Sequence, residues 1–221
     1  MQIALLGGTG DIGQGLALRW ARDTNHDVLI GSREAEKAAA KADEYESELA
    51  ERGHDVDIAG LENAAAAAEA DVAVLSVPAY YLSDTIDAVT DELDETVLVS
   101  PAVGMQRDEA GVHYNPPGVG SVTALAAKAA PDDVPVVGAF HNLAAGKLAD
   151  LDADLDWDVP IVSDDADAKE TVTALAEGIE GIRALDAGAL ANASEVESMT
   201  PLLINLAANN EDLHDLGVKF W

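Results

Sequence analysis

The sequence predicts an α/β protein built on a doubly wound, mostly parallel sheet. Three observations predict it. Apolar, strand-like runs alternate with helix-forming stretches over about 140 residues. A glycine-rich turn joins the first strand to the first helix. One central run, Asp71–Val77, is apolar almost throughout, as a strand buried on both faces of a parallel sheet must be.

Taken in order, Gln2–Leu6 is the first strand, and Gly13–Arg22 is a helix with Leu16, Ala17 and Trp20 on one face. Val28–Ile30 is the second strand, followed by a long helix of strong helix formers over Glu34–Arg52. Val56–Ala59 reads as a short third strand and Asn63–Glu69 as an Ala-rich helix. After Asp71–Val77 come a helix over Tyr80–Asp91 and a strand over Thr96–Ser100. A helix over Ser121–Ala129 and a strand over Val134–Phe140, ending at His141, complete the alternation. Beyond a loop, Val159–Ser163 and Ile182–Leu185 read as further strands, with helices over Ala166–Glu177 and Glu195–Ala208.

Composition narrows the function. Of 221 residues, 48% are hydrophobic, ample for a buried core. Asp and Glu number 42 against 12 Lys and Arg, a net charge of -30, which argues against nucleic acid and anionic membranes as partners. Cys is absent, which excludes disulfides, thiolate metal sites and a Cys nucleophile and fits a cytoplasmic protein. The chain opens on an apolar strand rather than a signal peptide, and no apolar run reaches the length of a membrane span. The acidic residues are scattered rather than gathered in a tail, with only six Lys and 42 Ala. A diffuse anionic surface of this kind resembles a halophilic protein, whose self-repulsion is screened only in molar salt.

Gly8-Thr9-Gly10-Asp11-Ile12-Gly13 is a G-x-G-x-x-G placed directly after a strand and before a helix. Gly8 permits the tight turn, Gly10 lets the backbone approach a pyrophosphate, and Gly13 allows close helix–strand packing. The helix N-terminus offers unpaired N–H groups to the phosphates. Asp11 is tolerated there by the helix dipole, and its side chain could equally cap the helix. The second strand leads into Ser32-Arg33, where an NAD-binding unit places an acid for the ribose 2′-OH. Ser32, the planar fork of Arg33, and Lys37 one helical turn on suit a 2′-phosphate instead, hence NADP. The competing reading pairs Arg33 and Lys37 with Glu34 and Glu36 on the helix surface. Residues 1–150 then form an NADP-binding Rossmann-type domain, and residues 151–221 a smaller C-terminal α/β lobe.

The other strand ends, Ser76–Ala79, Ser100–Val103 and Phe140–Leu143, are apolar with small residues, which suits two stacked flat rings. His141 lies at such an end, as a catalyst or as a hydrogen-bonded structural group. No His spacing indicates a metal site, and no G-x-S-x-G elbow supports a serine hydrolase.

Ala4–Gly10 with Gly31-Ser32-Arg33 resembles the archaeal, haloarchaeal-type NADP-dependent coenzyme F420 reductases (F420H2:NADP oxidoreductases). The similarity continues through Val99-Ser100-Pro101, Leu155–Pro160, Leu185–Gly188, Val196–Leu202 and Gly217–Phe220. The resemblance implies reversible hydride transfer between a deazaflavin and a nicotinamide, with no covalent nucleophile and no catalytic side chain beyond those that orient the two cofactors. It implies that Thr9, Gly10, Asp11 and Ile12 line the pyrophosphate and that Ser32, Arg33 and Lys37 hold the 2′-phosphate. Val103 and Ala145 would lie near the nicotinamide, with His141, Leu143 and Asn205 bordering the deazaflavin. It also implies a homo-oligomer, a dimer, for which the apolar stretch Leu202–Leu206 could supply an interface or serve as core. Two departures fall beside the ring site: Ala79 replaces a bulky aromatic, and Asn142–Ala145 lacks a proline. Other readings of the residues are an NADPH-dependent reductase of a flavin, ferric chelate or imine, and a non-enzymatic NADP(H) sensor.

Overall fold

The computed structural model describes residues 1–221. Its frame is a six-stranded sheet of β1 (Gln2–Leu6), β2 (Asp27–Ser32), β3 (Ile58–Glu62), β4 (Val72–Leu75), β5 (Val97–Ser100) and β8 (Val136–Gly138). The spatial order is β3-β2-β1-β4-β5-β8, and every pair is parallel. The order reverses at β1–β4, the position where such sheets open a crevice for a ligand. Alternation along β1 shows why these residues form a central strand. Ile3 and Leu5 enter a core of 33 residues on one face, while Ala4 and Leu6 enter a core of 19 on the other. Helices α1 (Asp11–Asp23), α2 (Ala35–Glu51), α6 (Ala145–Ala149) and α7 (Ala166–Glu177) supply the first core. Helices α3 (Asn63–Ala68), α4 (Leu82–Asp87) and α5 (Val122–Ala129) supply the second.

Two elements were not anticipated: α6, and an antiparallel hairpin of β6 (Met105–Asp108) and β7 (Gly111–Tyr114). Asp108 Oδ1 accepts from the Ala110 amide, and Gly111 takes φ +134°, so an Asx turn and a glycine close a two-residue loop. The predicted helix over Tyr80–Asp91 is broken into a 3-10 turn (Ala79–Tyr81), α4 and a second 3-10 turn (Thr90–Glu92). Thr85 and Thr90 donate their hydroxyls to the carbonyls four residues back, which bends a helix. The predicted helix over Glu195–Ala208 divides into α8 (Ala193–Glu197) and α9 (Met199–Ala208). Pro201 has no N–H for the Glu197 carbonyl, and the Ser198 hydroxyl turns back to Glu195 O.

The remaining strands, β9 (Trp157–Ile161) and β10 (Ile182–Asp186), pair with each other and join the large sheet through a single antiparallel bridge, Gly138–Val162. Trp157, Val159 and Ile161 nevertheless share the 33-residue core with β1. Asp158, fully buried, ties the chain after α9 to β9. Its carboxylate accepts from Arg183 Nε (2.8 Å) and Nη2 (2.6 Å) and from the Phe220 amide (2.6 Å). The Arg183 guanidinium holds this carboxyl down at about 2. A second tie joins α1 to α6. Arg19, 2% exposed, donates to the carbonyls of Leu148, Lys147, Asp150 and Ala153. Beside it a Cβ on Gly15 would approach Leu148 Cγ to 2.8 Å, so the two helices cross at glycine distance.

Candidate functional site

At the carboxyl end of β1 the chain folds back sharply. Gly7 takes φ +75°, and the Gly8 amide donates to Leu5 O (2.8 Å) and Gly31 O (3.0 Å). A Cβ on Gly13 would stand 2.6 Å from Gly8 Cα, so α1 packs against the turn only with glycine there. Gly10 differs: a Cβ built on it meets nothing within 4 Å. No protein contact requires glycine at this position, whereas a ligand drawn against the backbone would. Gly10 is the N-cap of α1 and no side chain caps that end, Asp11 included, so first-turn amides stay available to an anion. The turn fits a pyrophosphate.

Beside it opens a cavity of about 390 Å³ lined by Thr9, Gly10, Ser32, Arg33 and Lys37, together with Asn63, Tyr81 and Asp84. Asn63 is 6% exposed and its Oδ1 accepts from the Gly7 amide (3.2 Å), bracing the turn from α3. Ion pairs engage Arg22, Lys41, Arg52, Lys169, Arg183 and Lys219, yet neither Arg33 nor Lys37 has a carboxylate partner. Glu34 and Glu36 are next to both. Arg33 and Lys37 therefore offer this cavity two cations that no ion pair engages, alongside the carboxylates of Glu34 and Asp84. The surface-pairing alternative finds no ion pair to rest on. Asp11 and Ile12 begin α1 outside this lining, and Ile12 leans on the larger core.

A second cavity, of about 310 Å³ and mostly apolar, lies between the chain after β8, α9 and the segment beyond it. Leu143 and Ala145 line it together, with Leu203, Ile204 and Leu216 opposite. Three other residues singled out above fall elsewhere. Val103 is half-buried in the connection from β5 to β6 and lines neither of these two cavities. Asn205 spends its amide on the hairpin, donating to Val112 O (2.7 Å) and accepting from Val112 N (2.9 Å). His141 is 3% exposed, its Nε2 is 3.2 Å from Thr123 Oγ1, and burial pushes its pKa down to about 3. The imidazole is therefore neutral at ordinary pH, with a proton on one ring nitrogen only.

The residue that organises this end is Glu197, which sequence reasoning missed as an individual group. It is fully buried, and its carboxylate accepts from the amides of Val122 (3.0 Å) and Thr123 (2.8 Å) at the start of α5. It also accepts from the hydroxyls of Thr123 (2.9 Å) and Tyr114 (3.0 Å). Because Thr123 donates to Glu197, it accepts from His141, which fixes the Nε2–H tautomer. Burial and this carboxylate together raise the Tyr114 phenol well above its usual range. A single acid thus joins the hairpin, α5 and the end of β8. Neither periodicity nor charge spacing separates it from the other acids; only its place in the Val196–Leu202 motif drew notice.

Comparison with known proteins agrees with this geometry. A family model described as NADP oxidoreductase, coenzyme F420-dependent, matches residues 2–104. The F420-dependent NADP reductase of Methanothermobacter marburgensis is 41% identical over 99% of this chain and 97% of its own. That of Methanocaldococcus jannaschii is 42% identical over 93% of this chain and 92% of its own. Among solved structures, an Arthrobacter protein assigned as an F420-dependent NADP reductase superposes with a TM-score of 0.80 at 25% identity, covering 100% of this chain and 99% of that one. Identity above two in five along nearly the whole length, on a fold that carries the glycine turn and the cation pair, leaves one conclusion: the chain belongs to the F420-dependent NADP reductase family.

Proposed function

We propose that this protein transfers hydride reversibly between reduced coenzyme F420 and NADP. The observation that carries the reading is the unpaired Arg33–Lys37 couple beside the uncapped, glycine-opened N-terminus of α1, in a chain alike over its length to F420-dependent NADP reductases. When bound, the two cofactors supply the hydride chemistry themselves, and the protein's task is to bind and orient them. Backbone amides at Thr9, Gly10, Asp11 and Ile12 hold the pyrophosphate, and Ser32, Arg33 and Lys37 hold the 2′-phosphate. Ala145 and Val103 flank the nicotinamide. Leu143 forms an apolar wall of the deazaflavin site and keeps water out. His141 and Asn205 border that site by positioning backbone, since both side chains are engaged within the protein. Residues 151–221 contribute the far wall, through α9 and the segment after it.

The test mixes the protein, in molar KCl, with NADPH and oxidised F420. Protein-dependent bleaching of the deazaflavin absorbance, much weaker with NADH, is expected. Intact NADPH binding without bleaching would move the assignment to another acceptor.

No helix is long and apolar enough to cross a membrane. The scattered acidic charge supports a halophilic setting, the absence of Cys a cytoplasmic one, and the archaeal relatives an archaeal one. A homodimer is the assembly proposed, because α9 is strongly apolar yet buries only Pro201, leaving Leu202 58% and Leu206 40% exposed. One titration tests both. Lowering KCl from about 1 M to about 0.1 M lengthens the Debye screening from about 3 Å to about 10 Å. The melting temperature is expected to fall, and the light-scattering mass in molar salt to equal two chains. An unchanged melting temperature removes the halophilic reading; a one-chain mass removes the dimer.

A further inference from the structure

The rim of the nucleotide cavity carries a feature that phosphate binding does not use. Aromatic residues are scarce, 4% of the chain, and Trp20, Tyr45, Phe140 and Trp157 are buried. Yet two consecutive tyrosines stand out at the carboxyl end of β4: Tyr80 is 76% exposed and Tyr81 44%. Their rings touch at a centroid distance of 4.4 Å, so each steadies the other. Tyr81 lines the same cavity as Ser32 and Lys37, and the Arg33 guanidinium sits over its ring at 5.6 Å from the centroid. A ring face that accepts a planar cation also accepts a planar base. Arg33 is exposed and bound by no ion pair, so it can yield that face without breaking one. Asp84, Thr85 and Ala88 line the same cavity as Tyr81. The Thr85 hydroxyl is committed to Tyr81 O at 2.9 Å.

We propose that Tyr81 is the stacking platform for the adenine base of the nucleotide, with Arg33 yielding the ring face to the base and holding the 2′-phosphate. The proposal rests on the NADP reading of this cavity and adds a residue that selects the base rather than the phosphate. It gives Tyr81 a role in cofactor affinity.

The test titrates the protein calorimetrically with adenosine 2′,5′-bisphosphate, which has the adenine and the 2′-phosphate but no nicotinamide. Stacking of a base on an aromatic ring predicts a loss of about 5- to 100-fold in affinity for Tyr81→Ala. Tyr81→Phe, which keeps the ring, should bind within about twofold of the parent, because stacking uses the π-face rather than the hydroxyl. In turnover with NADPH the loss should fall in KM and not in kcat. Unaltered affinity in Tyr81→Ala, alongside a clear loss in Arg33→Ala, would overturn the platform and leave the phosphate site standing. Equal losses in Tyr81→Phe and Tyr81→Ala would overturn it too, by assigning the effect to the hydroxyl. If the parent protein fails to bind the bisphosphate at all, the NADP reading of the cavity itself falls.

Discussion

Arg33→Ala is expected to raise the KM for NADPH at least tenfold while leaving the KM for NADH nearly unchanged. The guanidinium offers a planar pair of donors to a phosphate, and charge-assisted bonds of that type are about twice as strong as neutral ones. Arg33 is free for this role because no carboxylate holds it, even with Glu34 adjacent. Arg33→Lys should recover part of the loss, since it keeps the charge and forfeits the fork. Steady-state kinetics with both nucleotides decide the matter. An equal rise for NADPH and NADH would mean that Arg33 supports the loop instead of reading the 2′-phosphate.

Glu197→Ala is expected to cost about 3–5 kcal/mol, because it leaves several buried donors unpaired at about 1–3 kcal/mol each and opens a cavity. Two backbone amides and two hydroxyls, from Val122, Thr123 and Tyr114, lose their acceptor together. For a chain of this size that corresponds to a fall of about 10 °C in melting temperature, read in molar KCl. Glu197→Gln keeps one good acceptor and should fall between. Affinity for adenosine 2′,5′-bisphosphate should hold in any folded variant, because the nucleotide cavity has no contact with Glu197. A melting temperature within about 2 °C of the parent would show that water replaces the carboxylate at little cost.

The legible part of the sequence was the part whose physics is local. Apolar runs at strand spacing and the Gly8–Gly13 pattern located β1, α1 and the glycine turn between them, because each follows from backbone sterics over a few residues. Ser32, Arg33 and Lys37 could be read for the same reason, being tied to the end of one strand and the first turn of the next helix. The hairpin 105–114 carried a usable signal, Asp108 followed by Gly111, which its short strands, the first exposed throughout, obscured. Glu197 and Asn205 were beyond sequence reasoning. What each does is set by partners 74 to 93 residues away, and no spacing rule reports a contact of that kind. The Leu155–Pro160 and Gly217–Phe220 motifs illustrate the same limit: far apart in sequence, they are one contact built around Asp158.

The buried Arg19 has a consequence for how two bound rings meet. Its four carbonyl contacts lock the helix that begins at the pyrophosphate turn to the short helix whose first residue lines the apolar cavity. The tie thus joins an element that begins beside the nucleotide cavity to one that begins on the apolar cavity. On the proposed function, the spacing of the two rings is then set in part by how this scaffold packs. Selection on the spacing acts through core volume: a methyl group gained at the α1–α6 crossing reaches the reacting atoms as surely as a change in the pocket wall.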